Sequence, residues 1–526
     1  VIGRKGFALA SACVITAVVV TGSAEGASTV AWSSCTDTDL AGLDCARVGV
    51  PMDYQQPDGP QVDIAISRLR ATDPGRRRGV LFTNPGGPGG AGLSMPADYR
   101  EQPITAVYDI IGLDPRGVGR STQLTCQANE GGPDLTSRPT EAELPRFTEV
   151  ARRDEAACLA TGGQLRRQVT TMNTARDMDR VRAALGESKI NYLGMSYGTF
   201  LGAVYGQLFP NHLDRSVLDS AMDPNEPVRQ QLADALGVIK TNFDAWAAWT
   251  ADRNGTFHLG TTPRAVRASI EKIAAATAVK PAAGFDNQTD FDTAVGTSTR
   301  YRPLWAAFAT NMYKALTELK VAAKDSALAA DNKRAVAAMK QLSAPVNGVY
   351  NAVTCETPWP TDMDTYYRAM RTARDSMPYG NAVSYVAPNN CAFSKVGFEA
   401  PTPIGTARYP RGLVLQATGD VNTPYINGVH MAATLGSVLI TVPDEGFHGE
   451  YNASGDASMP AKPNKCVDDK VNAYLVDGVL PTGRVDCASV NPPEAAAPDN
   501  KPAGPVVLLS SLGALAEKLL TAVLHR

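Results

Sequence analysis

The chain has 526 residues, 44% of them hydrophobic and 20% charged, with a formal net charge of -3. That balance is ordinary for a folded globular protein, and the length exceeds one typical domain. It lacks the basic surplus that a nucleic-acid-binding surface requires, so no nucleic-acid partner is expected.

The chain opens with Arg4 and Lys5, then an apolar stretch from Phe7 to Val20 and the small residues Thr21-Gly22-Ser23-Ala24. Charge, apolar run and small residues in this order predict a secretory signal over 1–27, removed near Ala24 or Ala27. The apolar run is shorter than the ~20 residues that cross a bilayer, and no later segment is long and uncharged enough, so no membrane span is expected. The product is expected to be secreted and extracellular. Of nine cysteines, Cys13 leaves with the signal. The other eight are even in number, as disulfides in an exported chain should be. Short loops close most easily, which pairs Cys35–Cys45, Cys126–Cys158, Cys355–Cys391 and Cys466–Cys487. No cysteine pairs have zinc-site spacing and the five histidines do not cluster, so no metal and no cofactor is expected.

Residues 28–60 form an N-terminal extension, the place for any propeptide. From 61 to 224, short apolar runs alternate with helical stretches. Val62–Leu69, Val80–Phe82, Ile110–Leu113, Ile190–Leu193 and Ser216–Leu218 read as strands. Thr174 is placed as the N-cap of a helix through Leu185, with Met178, Val181, Ala184 and Leu185 on one face, and Thr199–Leu208 as a further helix. From 225 to 405 the pattern becomes Ala-rich and helical, over Val228–Trp249, Pro263–Thr277 and Leu304–Leu342. Strands return between 406 and 490, at Leu413–Leu415 and Val438–Val442. Residues 491–526 are a Pro/Ala-rich linker and a terminal helix, Val506–Leu524. The alternation predicts an α/β fold, a mainly parallel sheet covered on both faces by helices, with the helical insert as a cap over the C-terminal edge of the sheet.

Gly194-Met195-Ser196-Tyr197-Gly198 lies between a strand and a helix. There a sharp turn can hold Ser196 in strained backbone geometry, provided that its neighbours are small. A serine of ordinary acidity needs a base to act as nucleophile. Only His448, in the Gly-flanked loop Glu445-Gly446-Phe447-His448-Gly449 after a strand, is suitably placed. His212 follows the serine too closely, His258 lies in the cap, His430 within a helix and His525 in the tail. Asp420, just past the strand Leu413–Gln416, is the preferred carboxylate to orient the imidazole. Asp219, ending an earlier strand, stays open as the alternative, while Asp444 is too close to His448 in sequence. The loop Asn84-Pro85-Gly86-Gly87-Pro88-Gly89-Gly90 lacks the Lys-Ser/Thr ending of a phosphate loop. It suits an oxyanion hole built from the N–H groups of Gly87 and Tyr197. Serine, acid and histidine in this chain order predict an α/β-hydrolase fold with a large helical cap insertion.

The glycine loop resembles the His-Gly-Gly-Pro-Gly loop of the proline iminopeptidase group of serine peptidases, with Pro85 in place of the histidine. Asp114-Pro115-Arg116-Gly117-Val118-Gly119-Arg120-Ser121 resembles that group's Asp-x-Arg-Gly-x-Gly-x-Ser segment. Over roughly residues 35 to 490, including Cys355-Glu356-Thr357-Pro358-Trp359-Pro360, the chain resembles the secreted bacterial tripeptidyl aminopeptidases. The resemblance implies Ser196, Asp420 and His448 as a triad. It also implies peptide substrates with free N-termini, from which short peptides, typically tripeptides, are removed.

Recognition of a substrate ammonium calls for a carboxylate in the cap, for which Glu356 and Glu226 are the candidates. The same triad would equally serve an esterase, a lactonase or another small-molecule hydrolase, because fold does not set substrate. A surface-binding protein on a decayed hydrolase fold, attached by its C-terminal tail, is the reading from another class.

Overall fold

The computed structural model describes residues 30–126, 135–321, 348–396, 402–453 and 461–493. The signal at 1–27, the end of the helix expected through Leu342 and the terminal helix Val506–Leu524 lie outside the described residues.

Ten strands form one sheet in the order β1-β2-β3-β5-β4-β6-β7-β8-β9-β10. They are β1 (Ser33–Ser34), β2 (Asp44–Pro51), β3 (Gln61–Leu69), β4 (Val80–Asn84), β5 (Asp109–Leu113), β6 (Ile190–Met195), β7 (Leu213–Asp219), β8 (Leu413–Ala417), β9 (Val438–Val442) and β10 (Val485–Asp486). Pairing is antiparallel from β1 through β3 to β5 and parallel from β5 to β10. The expected extension thus contributes β2, which pairs along its whole length with β3.

The central strands are continuous apolar runs because both of their faces are buried. Phe82, Tyr192, Leu218 and Val414 point into one core, with Met178, Val181, Leu201 and Met431. Their neighbours Leu81, Leu193, Val217 and Leu415 point into the other, with Tyr108, Val471 and Tyr474. This is the two-residue alternation of a pleated strand.

The helices around the sheet include α2 (Thr171–Ala184) and α3 (Tyr197–Leu208), whereas α1 (Leu144–Gly162) packs its Leu144 and Phe147 among the helices inserted between β7 and β8. Helix α2 starts four residues before the position expected from Thr174 as its cap. Thr170 is the cap instead, its Oγ1 accepting from Asn173 N at 3.1 Å, and Thr174 bonds back to the Thr170 carbonyl at 2.9 Å. Either threonine could cap a helix, and the apolar register of Met178 and Val181 does not specify where the first turn begins.

Between β7 and β8 the chain builds the cap, with α4 (Val228–Ala251), α5 (Pro263–Val279), α6 (Gln288–Arg300), α7 (Trp305–Val321) and α8 (Met363–Ser376). The cap has a core of its own, including Phe243, Trp246, Ile270, Phe291, Met312 and Tyr379. After β8 come α9 (Tyr425–Leu435) and α10 (Lys465–Asn472). The disulfides are Cys35–Cys45, Cys126–Cys158, Cys355–Cys391 and Cys466–Cys487, as sequence proximity suggests. Among the described residues no helix is long and apolar enough to cross a membrane, and no group of His, Cys, Asp and Glu side chains is disposed to hold a metal ion.

The segment Asp114–Ser121 is architectural. Asp114 accepts from the N–H groups of Gly92 (2.8 Å), Leu93 (3.2 Å) and Arg120 (2.7 Å), tying the end of β5 to the far side of the glycine loop. Arg116 is fully buried against Asp177 of α2 and also donates to the carbonyls of Pro51, Met52 and Gln168. Neutralised and hydrogen-bonded in this way, a buried guanidinium can be tolerated.

Candidate active site

Ser196 stands between β6 and α3 with φ 58° and ψ -127°, a conformation that non-glycine residues rarely adopt. Its amide donates to the Asp219 carbonyl at 2.9 Å, which pins the turn to β7. The flanking glycines have direct steric reasons. A Cβ on Gly194 would stand 2.5 Å from the Gly198 carbonyl oxygen, and one on Gly198 would stand 2.7 Å from Asn84 Oδ1.

The glycine loop packs just as tightly. A Cβ on Gly86 would lie 2.4 Å from the Met195 oxygen and 2.9 Å from Tyr197 N. Asn84 Oδ1 accepts from Gly86 N at 2.9 Å, and Gly90 N donates to the Gly86 carbonyl at 3.0 Å, which closes the loop on itself. Among the described residues the N–H groups of Gly87 and Tyr197 enter no hydrogen bond. Both residues line one cavity of about 360 Å³ together with Ser196. Unused amides beside a serine at a helix N-terminus can receive negative charge developing on a carbonyl oxygen.

His448 Nδ1 lies 2.7 Å from Asp420 Oδ2, so Asp420 is the carboxylate that meets the imidazole. Thr423 donates to the same oxygen at 2.6 Å, and Asn422 N and Arg300 Nη2 donate to Oδ1 at 2.9 and 2.8 Å. Burial works to raise the Asp420 carboxyl, but His448, Arg300 and Thr423 together hold it below its ordinary range. The rival Asp219 is occupied elsewhere. It accepts from Glu450 N and Tyr451 N at 2.8 and 2.9 Å, anchoring the chain just past His448. Burial pushes its carboxyl up to about 6 against those amides. Ser220 Oγ accepts from Gly449 N at 2.8 Å, and a Cβ on Gly449 would stand 2.7 Å from Met195 Sδ. These contacts set the histidine loop against the serine turn.

The histidines passed over in the sequence have other neighbours. His212 pairs with Asp179, His430 with Asp223, and the His258 ring packs on Tyr313. His525 lies outside the described residues.

Both candidate amine ligands line the cavity that holds Ser196. Glu356 is half-buried, and its Oε1 accepts from Thr171 N at 2.5 Å and Thr171 Oγ1 at 3.2 Å. Thr171 Oγ1 in turn lies 2.8 Å from the Tyr197 hydroxyl, so Glu356 is wired to the residue that follows Ser196. Among the described residues nothing bonds Oε2 and no cation pairs with the group. Desolvation pushes the carboxyl up to about 7 despite Thr171. Glu226 keeps acidic company: burial and then Asp234 and Asp223 raise its carboxyl. Asp223, Thr423, Tyr350 and Tyr385 also line the cavity and were not singled out from sequence. They come from segments far apart in the chain, with no local motif to mark them.

Two family models match the chain, one described as the alpha/beta hydrolase fold over residues 79–344 and one as TAP-like protein over 376–487. A tripeptidyl aminopeptidase of Streptomyces lividans is 34% identical, covering 87% of this chain and 86% of the relative. The serine protease Hip1 of Mycobacterium tuberculosis is 29% identical over 87% of this chain and 91% of its own. A protein of M. tuberculosis named carboxylesterase B is 32% identical over 89% and 92%. The chain is a hydrolase that belongs to the α/β-hydrolase family, among the tripeptidyl aminopeptidase-like proteins.

Proposed function

We propose that this protein is a secreted tripeptidyl aminopeptidase that releases short peptides from free N-termini through an acyl-enzyme. Ser196 Oγ attacks the scissile carbonyl while His448 takes its proton, held in one tautomer by Asp420. The oxyanion is received by the N–H groups of Gly87 and Tyr197. His448 then returns the proton to the leaving amine, and water completes the cycle by the same steps.

The observation that carries the peptidase reading is Glu356. A carboxylate in the wall of the Ser196 cavity, without a cation partner among the described residues, is costly to keep charged unless a cation arrives. A substrate ammonium supplies that cation. Glu226, beside Asp223 and Asp234, adds negative potential to the same cavity. The length of the released peptide and the extracellular location rest on the likeness to the tripeptidyl aminopeptidases, and the four disulfides fit an oxidising compartment.

The test is a matched set of anilides, a tripeptide with a free N-terminus, its N-acetyl form, and one- and two-residue analogues. Turnover of the free tripeptide, abolished by acetylation, supports the proposal. The relative named carboxylesterase B favours a second reading, an esterase on the same triad, and turnover of simple esters without anilide cleavage would establish that instead.

A further inference from the structure

Arg300 closes α6, inside the cap, yet its side chain leaves the cap. The side chain is only 10% exposed. Its Nη2 donates to Asp420 Oδ1 at 2.8 Å, its Nη1 to Asn422 Oδ1 at 3.0 Å, and its Nε to the Gly446 carbonyl at 2.6 Å. One planar group thus spans the acid loop and the histidine loop. The backbones also touch, since a Cβ on Gly446 would stand 2.2 Å from the Arg300 carbonyl oxygen. The neighbouring residues repeat the grip. The Tyr301 ring packs on Phe447 at 5.0 Å, Arg302 Nη1 donates to Asn242 Oδ1 at 3.2 Å, and Asn242 Nδ2 donates to the Gly419 carbonyl at 2.8 Å.

We infer that Arg300 is a cap-borne positioning residue for the Asp420–His448 pair, fixing both loops and biasing where the pair holds its proton. The inference rests on the proposed roles of Asp420 and His448. When His448 accepts the Ser196 proton, a positive charge forms beside a carboxylate whose other oxygen already faces a cation. Arg300 keeps Asp420 ionised and in one plane, and its charge disfavours an extra proton on the pair. The other titratable and charged groups around the pair are Asp219, Glu450 and Tyr385, with Tyr301, Arg302, Asp444 and Glu445 around the arginine and the histidine loop. Arg300 is the cation on the far oxygen of Asp420. A lysine there keeps the charge but loses the fork that reaches three acceptors.

The test uses full-length Arg300→Met and Arg300→Lys with the substrate that the wild type turns over best, reading kcat, KM and the pH profile of kcat/KM. Arg300→Met is expected to lose about 10²-fold in kcat, the scale of a misplaced catalytic group. Its KM should stay within about threefold, because ground-state binding is untouched. The acidic limb of its profile should move to higher pH, since the pair then holds its proton longer. Arg300→Lys should lose part of kcat while its acidic limb stays in place. A folded Arg300→Met with wild-type kcat and an unmoved limb overturns the inference, as does an identical pH profile for a damaged Met variant and wild type. If the Met variant does not fold, Arg300→Lys decides, and full kcat in that protein overturns the inference. His448→Ala separates the two levels: if it keeps wild-type activity, the triad fails, whatever Arg300 does.

Discussion

On the sheet side of the cavity, main chain does the positioning. Ser196 is held by a strained turn, by a bond from its amide to β7, and by glycines whose missing Cβ atoms let Gly86 and Gly198 approach within van der Waals distance. On the cap side, side chains from distant segments do it. Glu356 reaches the cavity from the stretch beside Cys355, and Arg300 reaches Asp420 from the end of α6. The sheet side is therefore sensitive to added volume and the cap side to changed charge. In the proposed mechanism the first governs attack on the carbonyl, while the second supplies the charges, Glu356 toward the substrate and Arg300 toward Asp420.

The largest effect should come from the sheet side. Ser196→Ala is expected to lower kcat by roughly 10⁴- to 10⁶-fold without altering the melting temperature by more than a few degrees. Labelling by a fluorophosphonate should disappear with it, and labelling of the alanine variant would point to another nucleophile.

Next are the two buried carboxylates on neighbouring strand ends. Asp420→Asn should cost about 10⁴ in kcat, because the imidazole loses its tautomer and its counter-charge. Asp219→Asn should retain activity within roughly tenfold and instead lower stability by about 1–3 kcal/mol, through weakened amide partners. Kinetics beside denaturant titration of both proteins checks this, and the reverse pattern would exchange their roles.

Gly86→Ala probes the crowding directly. A methyl group there displaces the Met195 carbonyl or the Tyr197 amide, so kcat should fall by about 10²- to 10³-fold, the scale of a lost oxyanion donor. Unchanged kcat in a folded variant would show that the two loops can part at little cost.

The smallest effect is on the cap side. Glu356→Gln should lower kcat/KM for a free-N-terminus peptide by about 10- to 100-fold, as for a desolvated charge pair with one partner truncated. An N-acetylated or uncharged ester substrate should be spared. The sign of its pH dependence follows from a carboxyl raised to about 7. Below that pH it is neutral and must lose a proton to receive an ammonium, so KM for the peptide falls as pH rises through 7. The peptide's own amine begins to lose its charge near pH ~8. Glu356→Gln should flatten the lower limb, and a limb that survives belongs to another group.

Much of the sheet side was legible in the residues because its determinants are local. A strand, a tight Gly-flanked turn and a helix leave a contiguous signature at 190–208, and the glycine loop does so at 84–90. Elimination among five histidines singles out His448, which the structure places against Asp420. The four disulfide pairs followed from loop length. The start of α2 was misplaced because both threonines satisfy the same capping chemistry. Arg300 and Thr423 were missed because neither sits in a motif, and each matters only through a carboxylate far from it or on a folded-back loop.

Asp219 and Asp420 show most directly where sequence stops. Each is an aspartate at or just past the end of a parallel strand, and local pattern offers both to His448. Only the packed structure turns Asp219 toward two amides of the chain after His448 and leaves Asp420 facing the imidazole. By itself the sequence determined the fold and pointed to Ser196 as the candidate nucleophile within a serine–acid–histidine order, since these depend on short-range backbone geometry. The tertiary structure decided which acid serves the histidine, and which cap residues surround it. Those outcomes depend on hydrogen bonds and charges between segments that meet only after the chain has folded.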